Sequence, residues 1–286
     1  MMNRFKKLWQ TVLLCTCAAV IVFSQGITAH RQPEKKTREY EKQKGDTAEA
    51  VPDIQERGSL EEPETESWEA SEEKESNDTA EETAEERIAR LRNALPDAAS
   101  LEIQPILQEP ELPTGCESVA LTMALEYLGF ELEKTTIADQ YLIRSATNFA
   151  EGYVGDPWSD HGAGVFPPGL TATADRFLND HDSRMSACDL TGAEFEELYS
   201  YIAAGFPVLI WSTMYYDAPK FAGIVSTAGD RTYEWYNNEH CIVLGGYDLT
   251  QNTVTLFDPL RDTQVMDISD MKCLYDAVGK YAVVIY

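Results

Sequence analysis

Between Cys116 and Leu128 the chain is apolar at Val119, Ala120, Leu121, Met123, Ala124, Leu125, Tyr127 and Leu128. Its polar positions, Glu117, Ser118, Thr122 and Glu126, fall within one half of a helical wheel. An apolar surface that wide predicts a helix buried inside a domain, with Gly129 as its stop. Downstream, "TGAEFEELYSYIAAGFP" has capping-box spacing from Thr191 to Glu194 and ends at Gly205 and Pro207, which predicts a second helix. The pattern then shortens. "PVLIWST" reads as a buried strand, and "HCIVLGGY" and "TVTLFD" read as two more, joined by the hairpin-length loop "DLTQN". "ISDMKCLYDAVG" returns to helical spacing and "YAVVIY" closes as a strand. Helices come early and an antiparallel sheet dominates later, so the expected class is α+β.

The first half of the chain does not share this patterning. Arg4, Lys6 and Lys7 precede an apolar run from Leu8 to Phe23. That run matches a secretory signal core and is short for a membrane span, although including "SQGITA" makes a single anchor possible. Residues 1–29 are therefore expected to be a signal peptide or a single membrane anchor. Residues 30–95 are rich in Glu, Thr, Ser and Ala and too poor in apolar side chains to repay the entropy of folding, so an acidic disordered linker is expected there. Within it, "AEERIARLRNALPD" has the makings of a short helix ending before Pro96. Residues 96–286 are long enough for one well-buried domain. Basic residues 31, 35, 36 and 38 after the apolar run favour the cytoplasmic side, but the leader-like segment favours a domain outside the cell, secreted or anchored, with the membrane touched only by the N-terminal segment.

The formal net charge is −26, with +6 over residues 1–45 and −15 over residues 46–86. No basic patch is present, which argues against nucleic acid as a partner. Beyond the leader, the cysteines are Cys116, Cys188, Cys241 and Cys273. Outside the cell four could pair in three ways; buried thiols are equally compatible with the sequence. With no Cys-x-x-Cys pair and no clustered histidine, neither a metal nor another cofactor is expected.

Cys116 follows a Pro-Thr-Gly bend and opens the buried helix, where unpaired N–H groups and the helix dipole favour a thiolate. A nucleophilic thiol also needs a histidine to take its proton and a third group to orient the ring. His240 heads one predicted strand and Asp258 ends the next. If these strands pair about a turn near residue 250, His240 faces residue 260 and Asp258 faces residue 242, so the two are diagonal neighbours on one face. A slip of one residue separates them onto opposite faces. Gln108, eight residues before Cys116, is placed to join the Cys116 N–H in stabilising an oxyanion. Taken singly, each has a plain structural role: Cys116 in the core, His240 as a bonded core histidine, Asp258 as a turn initiator before Pro259. His161, in "SDHGAG", reads as a loop residue.

The order Gln108, Cys116, His240, Asp258 resembles the papain-like cysteine peptidases. The segments "QEPELPTGCESVALTMALEYLGF", "GDPWSDHGAGVFPPGL", "DLTGAEFEELYSYIAAGFPVLIWST", "NEHCIVLGGYD" and "LFDPL" look like the bacteriocin-processing peptidase family thirty-nine and its C39-like relatives in Gram-positive bacteria. The resemblance covers roughly residues 101–286. It implies a papain-like cysteine peptidase fold, with the buried helix carrying the nucleophile packed on an antiparallel sheet. It further implies an acyl-enzyme on Cys116, with His240 as base and acid, Asp258 as orienter, Gln108 in the oxyanion hole, and a peptide or protein as substrate. The Cys-Gly-Ser-Cys-Trp signature of papain is absent, Gln108 lies two residues farther from the cysteine than in papain, and no transporter domain follows, so leader-peptide cleavage does not carry over. The same triad would also serve transpeptidase, amidase or acyl-transfer chemistry on cell-wall peptides. A catalytically inactive papain-like binding module is the non-enzymatic rival, and it predicts a Cys116 that is disulfide-bonded or inaccessible.

Overall fold

The computed structural model describes residues 82–286; the leader and most of the acidic linker lie outside the described residues. The helices are α1 (Ala84–Asn93), α2 (Cys116–Tyr127), α3 (Pro167–Asp180), α4 (Tyr199–Ala204) and α5 (Ile268–Val278). The early strands are β1 (Ala98–Ser100), β2 (Arg144–Ser145), β3 (Tyr153–Val154), β4 (Ala187–Asp189) and β5 (Val208–Thr213). Those that follow are β6 (Phe221–Ala228), β7 (Arg231–Tyr236), β8 (Glu239–Asp248), β9 (Thr253–Asp258), β10 (Asp262–Asp267) and β11 (Ala282–Ile285).

A seven-stranded sheet organises the fold in the order β10-β9-β8-β5-β11-β4, with β1 added alongside β8. All its pairings are antiparallel. Strands β5 and β8 lie at its middle, and nearly every residue of both is buried. That explains why "VLIWST" and "HCIVLGG" read as continuous apolar runs rather than as alternating ones. Helix α2 packs on β8 and α5 on β5, so the α+β class expected from the element order holds.

Local chemistry sets the ends of the elements. Thr83 and Glu86 form a reciprocal capping box that starts α1. Pro167 and Pro168 open α3, where a missing N–H costs nothing. Asp267 caps α5, and Gly205, with φ 97°, ends α4. Helix α2 is buried from Cys116 through Leu125, including Glu117, Ser118 and Thr122, so its short polar side is covered as well as its apolar one.

Several elements differ from expectation. The helix anticipated from Thr191 begins later: Glu194 is the cap, closing a box with Glu197 ahead of a 3-10 turn at Phe195–Leu198, and α4 follows. Glu197 competes successfully because it reaches the Glu194 N–H at 2.8 Å. The hairpin β6–β7 and the strand β10 carry exposed apolar side chains (Phe221, Ile224, Val225, Val265) and so lack an alternating signal. Packing also begins upstream of residue 96: Ile88 and Leu91 of α1 are buried in the core, and Arg87 donates to Ala204 O at 3.2 Å. Among the described residues no helix is long and apolar enough to cross a membrane.

Candidate active site

Cys116 is the first residue of α2, after Gly115, whose Cβ, if present, would lie 2.9 Å from the Leu112 Cβ. The preceding bend is pinned to the 153–163 loop. Tyr153 donates to Thr114 O at 2.6 Å, and the Thr114 hydroxyl donates to Ser159 O at 2.8 Å. The loop is thus a brace for the cysteine. His161, which it carries, is 87% exposed in its side chain and pairs with Asp160, in keeping with a loop role.

The hairpin β8–β9 brings two of the candidate residues together. Val243 pairs with Phe257, a register that places Ile242 opposite Asp258 and makes His240 its diagonal neighbour. His240 Nε2 lies 2.7 Å from Asp258 Oδ1, with both side chains fully buried. Asp258 also accepts from Leu260 N–H at 2.8 Å, and its second oxygen accepts from the Tyr216 hydroxyl at 2.8 Å. Burial opposes the charge, but the hydrogen bond and charge of His240, with the Leu260 and Tyr216 donors, hold Asp258 below the usual carboxylate range. Tyr216 reaches it from an unusual backbone: Tyr215 and Tyr216 both have φ of 59°. Two successive bulky residues in the left-handed region are strained, which is common where a fold must present a side chain at one spot.

Cys116 is 5% exposed, and it forms no disulfide; Cys188, Cys241 and Cys273 are free as well. No disulfide therefore removes its sulfur, although the thiol is buried. Its hydrogen bond goes to Glu117 Oε2, at 3.2 Å. Burial, then the fields of Glu117 and Glu239, push the thiol well above its ordinary range; the backbone N–H of Cys241 works the other way. Burial and the two neighbouring carboxyls thus act against the thiolate that the helix N-terminus was expected to favour.

Gln108 is buried beside the same assembly. Its N–H donates to Pro259 O at 2.8 Å, tying the segment before α2 to the turn after Asp258. Its amide donates to Pro113 O at 2.7 Å, and Oε1 has no partner. One amide hydrogen is thus committed to the bend and a second remains.

Three residues escaped the sequence reading: Glu117, Glu239 and Tyr216. Glu117 and Glu239 are buried next to Cys116, one following the cysteine and the other preceding His240. Glu117 Oε1 accepts the Val165 N–H at 2.6 Å, and burial pushes its carboxyl up to about 7. Burial, then the field of Glu117, raises Glu239 well above its normal range. The available signal was a glutamate adjacent in sequence to each member of the candidate Cys–His pair. Tyr216 had no comparable signal, because its position depends on the strained turn after β5.

A buried helix carrying a thiol at its start, packed on an antiparallel sheet whose hairpin holds a histidine–aspartate pair, defines the cysteine-peptidase class of α+β folds. Residues 100–283 match the Peptidase_C39 like family, and the chain belongs to that family. It is 28% identical over 187 residues to the uncharacterized protein YvpB of Bacillus subtilis (strain 168), covering 63% of this chain and 72% of that one. The crystal structure of a putative C39-like peptidase from Bacillus anthracis superposes with a TM-score of 0.57 at 30% identity, covering 66% of this chain and 97% of the other.

Proposed function

We propose that the chain is a thiol peptidase working outside the cell, which hydrolyses peptide bonds through an acyl-enzyme on Cys116. The observation that carries this reading is the 2.7 Å contact of His240 with Asp258, on the hairpin of the sheet against which α2 packs. Asp258 holds Nε2, which leaves Nδ1 as the nitrogen to take the thiol proton. Because the resting thiol is neutral, the proton moves to His240 as sulfur attacks, rather than before. The S–H bond breaks, the carbon–sulfur bond forms, and the carbonyl oxygen becomes an oxyanion. The unpaired Cys116 N–H and the second amide hydrogen of Gln108 are the donors for it. Collapse breaks the carbon–nitrogen bond while His240 returns its proton to the leaving amine, and water then releases the acid by the same steps.

The test is digestion of a complex peptide mixture by the full chain, with new termini read by mass spectrometry. Cleavage that disappears in both Cys116→Ala and His240→Ala supports the reading. Absence of cleavage, together with no covalent adduct of a peptidyl vinyl sulfone at Cys116, overturns it in favour of a binding module. Placement outside the cell is tested separately by protease accessibility of the domain in intact cells.

A further inference from the structure

The surroundings of Cys116 hold more acid than a thiol peptidase needs. Glu117 and Glu239 are both buried, and one donor atom from each lies with the Cys116 sulfur inside a cluster no wider than 4.8 Å. Two carboxyls taken out of water must either hold a proton or pair with a cation. None faces them. The titratable groups acting on the cluster are Cys241, Tyr236 and Tyr153, all acids themselves, and His240 is committed to Asp258. Glu239 Oε1 has no hydrogen-bond partner, although Glu239 is only 5% exposed.

The surrounding backbone makes room for this arrangement. A Cβ on Gly164 would stand 2.5 Å from Glu117 Oε1 and 2.8 Å from Glu239 Oε2, so a glycine is what allows both carboxyls to converge there. Val165 N–H then fixes Glu117 Oε1 at 2.6 Å, leaving Oε2 on the side of the sulfur. The result is one soft donor and two hard ones on a braced backbone.

We propose that Cys116, Glu117 and Glu239 form a binding site for a borderline divalent cation of the zinc class. Calcium and magnesium are poorly matched, since both take six or more oxygen ligands and no sulfur. Zinc accepts thiolate and carboxylate together, in tetrahedral sites where three protein donors leave a fourth position open. The site lacks the Cys-x-x-Cys and histidine spacings by which zinc sites are read from sequence, because two of its ligands are adjacent on α2 and the third lies on β8. Binding breaks the S–H bond, forms a metal–sulfur bond and releases that proton, with any held by the two carboxyls, to solvent. A sulfur held by the ion cannot attack a carbonyl, so the loaded protein is locked. The lock, unlike the ion site, rests on the peptidase reading.

Cobalt(II), which gives a thiolate charge-transfer absorption, is the probe. The full chain carrying Cys15→Ser and Cys17→Ser is reduced, freed of reductant and titrated. The site predicts a band that saturates at one equivalent, is displaced by zinc, vanishes in Cys116→Ser, and weakens by more than about tenfold in affinity in Glu239→Gln. Circular dichroism shows whether Glu239→Gln is folded, and Glu117→Gln, which makes the same prediction, is the second variant. Absence of the band overturns the proposal, as does a band that survives both glutamine variants and is lost in His240→Ala. Cobalt binding by a protein that cleaves no peptide even when stripped of metal by chelator would sink the peptidase and leave the site standing. Cleavage without cobalt binding would sink the site alone.

Discussion

His240 Nε2 and Asp258 Oδ1 are 2.7 Å apart only because Gly245 is an extra residue in β8. Near the hairpin turn Gly246 pairs with Thr255, Tyr247 with Val254 and Asp248 with Thr253. Carried unchanged along the strand, that register would place Asp258 opposite Val243, on the face away from His240. Past Gly245 the pairing becomes Leu244 with Leu256 and Val243 with Phe257, which returns the two side chains to one face.

The buried pair makes stability depend on acid. Asp258 is held below its ordinary range, so its contribution is complete above about pH 4 and is lost as pH falls through the lowered value. Asp258→Asn is expected to cost about 1–3 kcal/mol at pH 7, since a buried charged acceptor is replaced by a neutral one. Thermal melts of the two proteins should converge as pH drops below about 4. A constant gap down to pH 2 would contradict the assignment.

Tyr216 tests the same carboxylate from its other oxygen. Tyr216→Phe leaves Asp258 Oδ2 without its donor in a buried setting, at a cost of about 1.5–3 kcal/mol. Because a hydrogen bond to the charged form is removed, Asp258 should titrate at higher pH in the variant. NMR titration of the carboxyl would show this; an unmoved midpoint would mean the hydroxyl does not act on it.

The thiol offers a third measurement. Glu117 and Glu239 disfavour the Cys116 thiolate, so neutralising one should favour it. With chelator present, Cys116 in the native chain should alkylate with iodoacetamide more slowly at pH 7 than the exposed Cys273. At a pH where the Glu239 carboxyl is ionised, Glu239→Gln should speed Cys116 about tenfold for each pH unit by which its titration falls. A slower or unchanged rate would mean that the carboxyls do not set the sulfur.

How much of this was legible depends on the kind of information each residue carries. Helix α2 and strands β5 and β8 were readable because burial on all sides leaves a long apolar run, and Gly129 and Gly205 mark their neighbourhoods with stops. The candidate residues Cys116, His240 and Asp258 were readable from their places at element ends. The charge environment was not. Glu117 and Glu239 read as ordinary polar neighbours, and only the fold shows that both are buried against one sulfur. Tyr216 depends on two left-handed tyrosines that no local preference announces. The bulge was equally silent, since "GG" in a strand marks either a bulge or a close approach.

Here it marks both, which gives the most direct test of how the site is built. The Gly245 carbonyl accepts from Leu101 N–H at 2.8 Å, and a Cβ at that position would stand 2.5 Å from the Phe257 ring and 2.8 Å from Ile103 Cδ1. Gly245→Ala keeps the extra residue but overpacks it, and should cost about 1–3 kcal/mol with the pair intact. Deleting Gly245 removes the extra residue, so either the hairpin keeps its turn and loses the His240–Asp258 contact, or it keeps the contact and strains its turn. The turn is held by Asp248, which accepts from Thr250 and Gln251 N–H at 2.8 and 2.9 Å, so the contact is expected to fail. The readout is the downfield proton of His240 bonded to Asp258, present in the native chain and in Gly245→Ala and absent in the deletion. Its survival in a folded deletion variant would show that register, and not the bulge, is what the sheet defends.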